Sequence, residues 1–438
     1  MSGIELGFLI IAATMVLIFL RIPIAVAMFL CGAAGFVSVT GTAPWLAWLK
    51  GLTYSRLASF DLIVVPLFIL MGQFATHGGL SQRLFRFVNA FIGHLRGGLA
   101  LATLGACAGF GAICGSSIAT AATMGNVAYP EMKRYGYSGA LSTGVIAASG
   151  SLGVLLPPSV PLVVYAILTG EAIGALFIAA VIPALIAILG YILAIGWHVM
   201  RDPKAGPAGP RSSWSERISA SCSIFPVVVI FLAVVISIYD GWASPTEAAA
   251  VGAVATFILA TCNGMRMHGI MASFAGTASA TAMIFLVLIG ADMLNSALAF
   301  TNMTNEIARW ILDFGLPPLM VVLIILLIYV VLGCVMESMS MIMLTIPLFY
   351  PVIMQLDLWG LSSQDKSVWF GILALMVVEI GLITPPIGLN VFVVNRTAPN
   401  VPLAVTFRGV LPFLATDFIR VGIIFLCPPV ALWLVHIL

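Results

Sequence analysis

Charge is what this sequence has least of. Lys, Arg, Asp and Glu together make up 8% of its 438 residues, against about 25% in an ordinary soluble domain. Too few polar groups remain to clothe a water-soluble particle, which excludes a soluble globular fold. The formal net charge is only +2 and no basic tract is dense, so the electrostatic footprint that nucleic-acid binding needs is missing. No Gly-Lys phosphate-binding loop occurs, which removes ATP as an expected energy source. Cys31, Cys107, Cys114, Cys222, Cys262, Cys334 and Cys427 lie in or beside apolar runs without metal-ligand spacing. They read as packing residues, with no disulfide or zinc framework. His77, His94, His198, His268 and His436 scatter near segment ends. No zinc-binding His pattern, Ser-His dyad or flavin or haem signature stands out, so neither an enzyme nor a bound cofactor is expected.

What fills the sequence instead is apolar. Hydrophobic residues reach 62% and the mean hydropathy is +1.17. Windows free of charge run over 97–130, 135–170, 172–200, 218–239, 267–291 and 314–336. Each meets or exceeds the roughly 20 residues that cross a ~30 Å hydrocarbon layer. A barrel would show segments of about ten residues with polar alternation. Continuous runs point to helices, which satisfy their own backbone in lipid. The first run, 3–20, has no basic residue before it and leads into Arg21-Ile22-Pro23 rather than a cleavage site, so a retained span is expected.

The most polar internal stretch, 198–217, holds Arg201, Lys204, Arg211 and Arg217. Its basic excess places it in the cytoplasm as a linker between two halves, 1–197 and 218–438. Segments 97–130 and 314–351 each read as a hairpin entering and leaving on one face. Walking outward from the linker gives five spans and one hairpin per half, hence opposite orientations and both termini in the periplasm. This assignment leaves thirteen basic residues inside and four (Lys50, Arg56, Arg309, Lys366) outside, with Arg420 anomalous within the last span. Segment 44–60 is too short and interrupted to count as a span.

The halves share a motif order. Gly115-Ser116-Ser117, Tyr129-Pro130 and Gly153-Val154-Leu155-Leu156-Pro157-Pro158 recur as Met336-Glu337-Ser338, Tyr350-Pro351 and Gly381-Leu382-Ile383-Thr384-Pro385-Pro386. The second interval is longer by seven residues, which the polar loop 357–367 accommodates. Each Pro-Pro pair breaks its helix at membrane depth, where irregular backbone is tolerated only against protein or a cavity. The expected fold is therefore an all-α polytopic membrane protein of two inverted-topology repeats. Each repeat has five spans and one re-entrant helical hairpin, and one of its helices is broken by Pro-Pro. Interrupted helices at matching positions of inverted repeats mark a secondary transporter's binding centre.

The residues that carry a further resemblance are Val65-Pro66-Leu67-Phe68 with Gly72, the run 109–123, Tyr129-Pro130-Glu131-Met132, the run 153–158, Leu344-Thr345-Ile346-Pro347, and the run 381–390. Over essentially its whole length the sequence resembles the large transmembrane subunit of tripartite ATP-independent periplasmic (TRAP) transporters, the dicarboxylate-type large permeases. The resemblance implies an elevator-type, sodium-driven importer. Its implied partners are a small four-helix membrane subunit and a periplasmic solute-binding protein. It also implies two sodium sites, one between each hairpin and its facing break. The loop holding Asp357-Leu358-Trp359-Gly360 departs from the family pattern and is longer.

On that footing the first cation site draws on Ser116, Ser117 and Thr120, with backbone oxygens of Gly115, Gly153 and Leu156. The second draws on Ser338, Gly381, Thr384, Gly388 and Asn390. Neutral hydroxyl and carbonyl oxygens suit a hard monovalent cation. Glu337 and Glu379 sit in apolar stretches where a carboxylate is costly unless paired or functional, and coupling or pairing with Arg420 is open to both. Helix amino ends and hydroxyls favour a small anionic substrate. C4-dicarboxylates, sialic acid, keto acids, other sugar acids and compatible solutes stay open. The competing reading is a stand-alone cation-coupled organic-anion carrier of a related inverted-repeat superfamily.

Overall fold

The computed structural model describes residues 3–303, 306 and 316–437. Arg309, the first two residues of the expected second hairpin (314 and 315) and the chain ends lie outside the described residues. In the first half the helices are α1 (Gly3–Phe19), α2 (Ile24–Thr40), α3 (Thr42–Leu57), α4 (Val64–His77), α5 (Leu80–Ile92), α6 (Gly98–Cys114), α7 (Ser117–Arg134), α8 (Gly139–Ser151), α9 (Val160–Thr169) and α10 (Ile173–Arg201). The second half holds α11 (Trp214–Tyr239), α12 (Pro245–Cys262), α13 (Met267–Phe300), α14 (Pro318–Gly333), α15 (Ser338–Gln355), α16 (Ser363–Ile383), α17 (Leu389–Thr397), α18 (Leu403–Leu426) and α19 (Pro429–Ile437). The chain is thus an all-α polytopic membrane protein. Seven described helices are individually long and apolar enough to span a bilayer, and α4 with α5 form a further pair bent by 66°.

Local chemistry sets where these helices begin. Ser213 with Glu216 and Ser244 with Glu247 form capping boxes that start α11 and α12, satisfying amides that the first turn leaves open. The linker folds back on the joints around α6 and α7: Gly97 N donates to Gly206 O at 2.9 Å, and Ser138 N to Ala205 O at 2.9 Å. Burial then sorts the helices. Every residue of α16 from Ser367 to Ile383 is buried, so this helix is the axis of the core and needs no polar face. In contrast, α11 exposes Phe225, Val228, Val229, Leu232 and Ile236, as a lipid-facing helix does.

Several boundaries differ from the sequence reading. Segment 44–60, not counted as a span, lies mostly in a helix, α3, which is likewise not among the helices long and apolar enough to cross a bilayer. Residues 80–92 form an amphipathic helix that buries Leu80, Leu84 and Phe85; in sequence its arginines mark only a charged connection. Helix α13 runs 34 residues, about 51 Å at 1.5 Å per residue, far beyond the span that charge spacing marks. The last stretch divides at Pro428 into α18 and α19.

Candidate functional site

Each hairpin turn is built by its own sequence. Gly115 ends α6 in a left-handed conformation (φ +64°), its N–H returning to Gly111 O at 2.7 Å. Ser116 then caps α7, accepting from Ala119 N at 3.4 Å. In the second hairpin Glu337 caps α15, its Oε2 accepting from Met339 N at 3.0 Å and Ser340 N at 3.2 Å. A carboxylate at a helix amino end is favoured by the exposed amides and the helix dipole.

Behind each turn stands a broken helix. The first runs from α8 through a tight turn at Leu152–Val154 to α9, with Ser159 hydroxyl donating to Val154 O. The second runs from α16 to α17, where Gly388 (φ +60°) opens the new helix and its N–H donates to Cys334 O at 3.3 Å. The Pro157-Pro158 and Pro385-Pro386 bonds, both cis, lie within these breaks. Gly153 and Gly381 hold matching places in the repeat and meet glycines of the facing hairpins. A methyl on Gly111 would come 2.8 Å from Gly153 Cα, and one on Gly333 would come 3.0 Å from Gly381 Cα. Only glycine permits such backbone approach.

The two hairpin tips meet across one cavity of about 160 Å³. Gly115, Ser116 and Ser117 line it from one side, Glu337 and Ser338 from the other. Val154 of the first break also faces it. Thr120 lies just behind, its hydroxyl donating to Ser116 O at 2.7 Å. Leu156 is half-buried in the first break, its N–H bonded to Leu152 O at 3.0 Å. Thr384 donates to Ile380 O at 2.6 Å, which leaves its lone pairs free to accept. Ser338 Oγ and Asn390 Oδ1 are buried without a hydrogen-bond partner. Asn390 also crosses between halves, its Nδ2 donating to Ala147 O at 3.4 Å. Unpartnered buried oxygens of this kind suit a ligand that brings positive charge or a donor.

Glu379 and Arg420 do not line this cavity. Arg420 Nη2 lies 2.8 Å from Glu379 Oε2 and 3.0 Å from Asp417 Oδ1, with all three side chains buried. Tyr191 donates to Asp417 Oδ2 at 2.7 Å. The cluster ties α10, α16 and α18 together. Sequence reasoning missed Asp417, although its place three residues before Arg420 in an apolar run was a usable signal. It also missed Gln73 of α4, which lines the cavity; an isolated amide in an apolar helix was the clue.

Both hairpin tips and the first broken helix line this cavity, whereas Gly381, Thr384, Gly388 and Asn390 of the second break do not. Paired hairpins and broken helices in an apolar helical chain are the arrangement of a membrane transport protein. The profile of the family described as "Tripartite ATP-independent periplasmic transporter, DctM component" matches residues 11–430, and the chain belongs to that family of secondary transporters, which are not enzymes. It is 36% identical over 375 residues to the C4-dicarboxylate TRAP transporter large permease protein DctM of Pseudomonas aeruginosa, covering 85% of this chain and 86% of that one. It is 30% identical over 433 residues to the ectoine TRAP transporter large permease protein TeaC of Halomonas elongata, covering 97% and 98%. In fold it is similar to the crystal structure of the Alcanivorax borkumensis YdaH transporter, with TM-score 0.63, 13% identity and 88% of each chain covered.

Proposed function

We propose that this chain is the large membrane subunit of a sodium-coupled importer of a small organic acid. A periplasmic binding protein delivers the substrate, a small four-helix membrane subunit completes the permease, and transport proceeds by an elevator motion. The observation that carries the reading is the shared cavity between the two hairpin tips, lined by Gly115, Ser116 and Ser117 on one side and Glu337 and Ser338 on the other. Sodium is cargo here, held at the first junction by Ser116, Ser117 and Thr120 with main-chain oxygens of Gly115, Gly153 and Leu156. At the second it is held by Ser338, Gly381, Thr384, Gly388 and Asn390. The substrate's carboxylate takes the amino end of α7, since the Glu337 carboxylate already occupies that of α15. The names of the two relatives denote small carboxylated molecules, which supports the class and leaves the member open.

In this reading residues 1–197 and 218–438 are inverted repeats, the linker 198–217 is cytoplasmic and both termini are periplasmic. The one-sided distribution of basic residues supports it. Proteoliposomes holding both membrane subunits and supplied with ligand-loaded binding protein should accumulate substrate when sodium is high outside, without ATP. Equal uptake with potassium in place of sodium, at matched membrane potential and pH, overturns the coupling. Labelling of Ser212→Cys by an impermeant reagent from the periplasmic side overturns the topology.

A further inference from the structure

We propose that the cleft between the linker-side ends of α10 and α18 is a binding site for one anionic phospholipid. The cleft measures about 590 Å³ and is lined by Trp197, Arg201 and Asp202 of the first helix end and by Arg408, Leu411 and Pro412 of the second, with His198 beside them. It lies away from the central cavity and shares no lining residue with it.

Charge selects an anion here. Arg201 and Arg408 are both exposed, and neither is in an ion pair with a carboxylate among the described residues. The Arg201 guanidinium instead stands 5.4 Å from the Trp197 ring centre, an arrangement that holds it at the cleft mouth. The one acid, Asp202, accepts from Lys204 N at 3.1 Å and so caps the linker turn. Two guanidiniums on opposite walls match the forked recognition of a phosphate group.

The apolar stripes running along both helices select a lipid over a soluble phosphate. On α10, residues 185, 189, 193, 197 and 201 recur every fourth position, each beside the next in a strip that winds slowly around the helix. They are Leu185, Leu189, Leu193 and Trp197, all exposed, ending in Arg201. On α18 the exposed stripe starts at Arg408 and continues through Leu411, Phe418 and Ile419. The twelve residues from 189 to 201 rise about 18 Å, close to the ~15 Å depth of one leaflet's hydrocarbon. Each stripe therefore offers a basic head and an acyl-length apolar track, with an indole at the boundary where such rings settle. The inference rests on the membrane reading, and on the cytoplasmic linker only for the choice of leaflet; it does not depend on sodium coupling.

The test uses the purified full chain, with phosphatidylglycerol and phosphatidylcholine titrated in detergent and bound copies counted by native mass spectrometry. At about 1 kcal/mol per basic residue near a lipid surface, Arg201→Gln with Arg408→Gln should weaken phosphatidylglycerol roughly 30-fold. Phosphatidylcholine shares the phosphate but carries no net charge, so it should weaken severalfold less, and an unchanged thermal transition shows that the variant is folded. Leu193→Gln with Leu411→Gln should weaken both lipids. Lys204→Gln with Arg211→Gln removes equal charge from the adjoining linker and should leave the tight phosphatidylglycerol copy in place. The site is overturned by unchanged phosphatidylglycerol affinity in the arginine variant, or by an equal loss in the linker variant. Displacement by glycerophosphate at matched concentration also overturns it, in favour of a phosphate site without a lipid.

Discussion

At the first hairpin–break junction the turn is capped by Ser116, Leu156 precedes the proline pair, and Ser151 stands two residues before the close-packed glycine. At the second, the corresponding positions hold Glu337, Thr384 and Glu379. The backbone arrangement is shared: a hairpin glycine against Gly153 or Gly381, and a new helix opening after the prolines. The chemistry is not. The first junction holds only neutral side-chain oxygens, the hydroxyls of Ser116, Ser117 and Thr120, whereas the second brings two carboxylates, Glu337 and Glu379. Single side-chain deletions should therefore damage the second junction more than the first, and substituting a residue alongside its repeat partner measures the difference.

The largest difference is expected at Glu379 and Ser151. Glu379 shares a fully buried guanidinium with Asp417, so its loss leaves Arg420 half-paired, and breaking a buried ion pair costs up to about 3–5 kcal/mol. Ser151 only donates to Ala148 O at 2.7 Å within its own helix, a bond worth about 1 kcal/mol. Glu379→Ala should sharply lower unfolding stability in detergent and Ser151→Ala barely so. Adding Arg420→Met to Glu379→Ala also strands the buried Asp417 carboxylate and should lower stability further. Equal stabilities of the two single variants would remove the asymmetry.

Next come the glycines. A methyl on Gly381 would meet Gly333 Cα at 2.5 Å, main chain against main chain, whereas one on Gly153 would find Ser116 O and Thr120 Oγ1 at 3.2 Å. Overpacking of the first kind costs about 1–3 kcal/mol. Gly381→Ala should push α14 from α16 and depress uptake at normal membrane abundance, with Gly153→Ala retaining most activity. The reverse order would mean that the first junction is the tighter one.

The cation readings separate at Thr384 and Ser117. Thr384→Val keeps the branched shape and removes the hydroxyl that bonds Ile380 O. A packing role predicts little change. A ligand role predicts a loss of about 1–3 kcal/mol in sodium affinity, roughly a 5- to 150-fold rise in the sodium needed for half-maximal uptake. Ser117→Ala should do the same through the other junction. Unchanged sodium titrations in both would return these hydroxyls to packing.

Much of this was legible in the sequence because its signals are local. A proline pair breaks a helix whatever surrounds it, and a basic excess marks a face. The hairpins, the breaks and their facing pairs arise from such signals. What escaped depends on tertiary company. Asp417 looks like one more polar residue until Arg420, Glu379 and Tyr191 converge on it from three helices. The extra length of α13 carries Asp292 inside an otherwise apolar helix, so charge spacing ends it early. The amphipathic helix α5 reads as helix only once its buried stripe has a partner, because Arg83 and Arg86 dominate its composition.

The smallest expected effect tests the caps themselves. Ser116 Oγ accepts one amide, Ala119 N, at the long distance of 3.4 Å, while Glu337 Oε2 accepts two at 3.0 and 3.2 Å. Loss of a serine cap costs about 1 kcal/mol and replacement by glycine only a few tenths. Ser116→Ala should therefore speed amide exchange in the first turn of α7 by about fivefold, and Ser116→Gly should restore most of the protection. Thr120 bonds the main-chain oxygen of Ser116 and not its side chain, so that contact survives both changes. If the Ser116 side chain serves only as a cap, sodium dependence is the same in both variants as in the parent chain. If it also holds the cation, Ser116→Gly repairs exchange without repairing sodium affinity, and the two readouts part company at one residue.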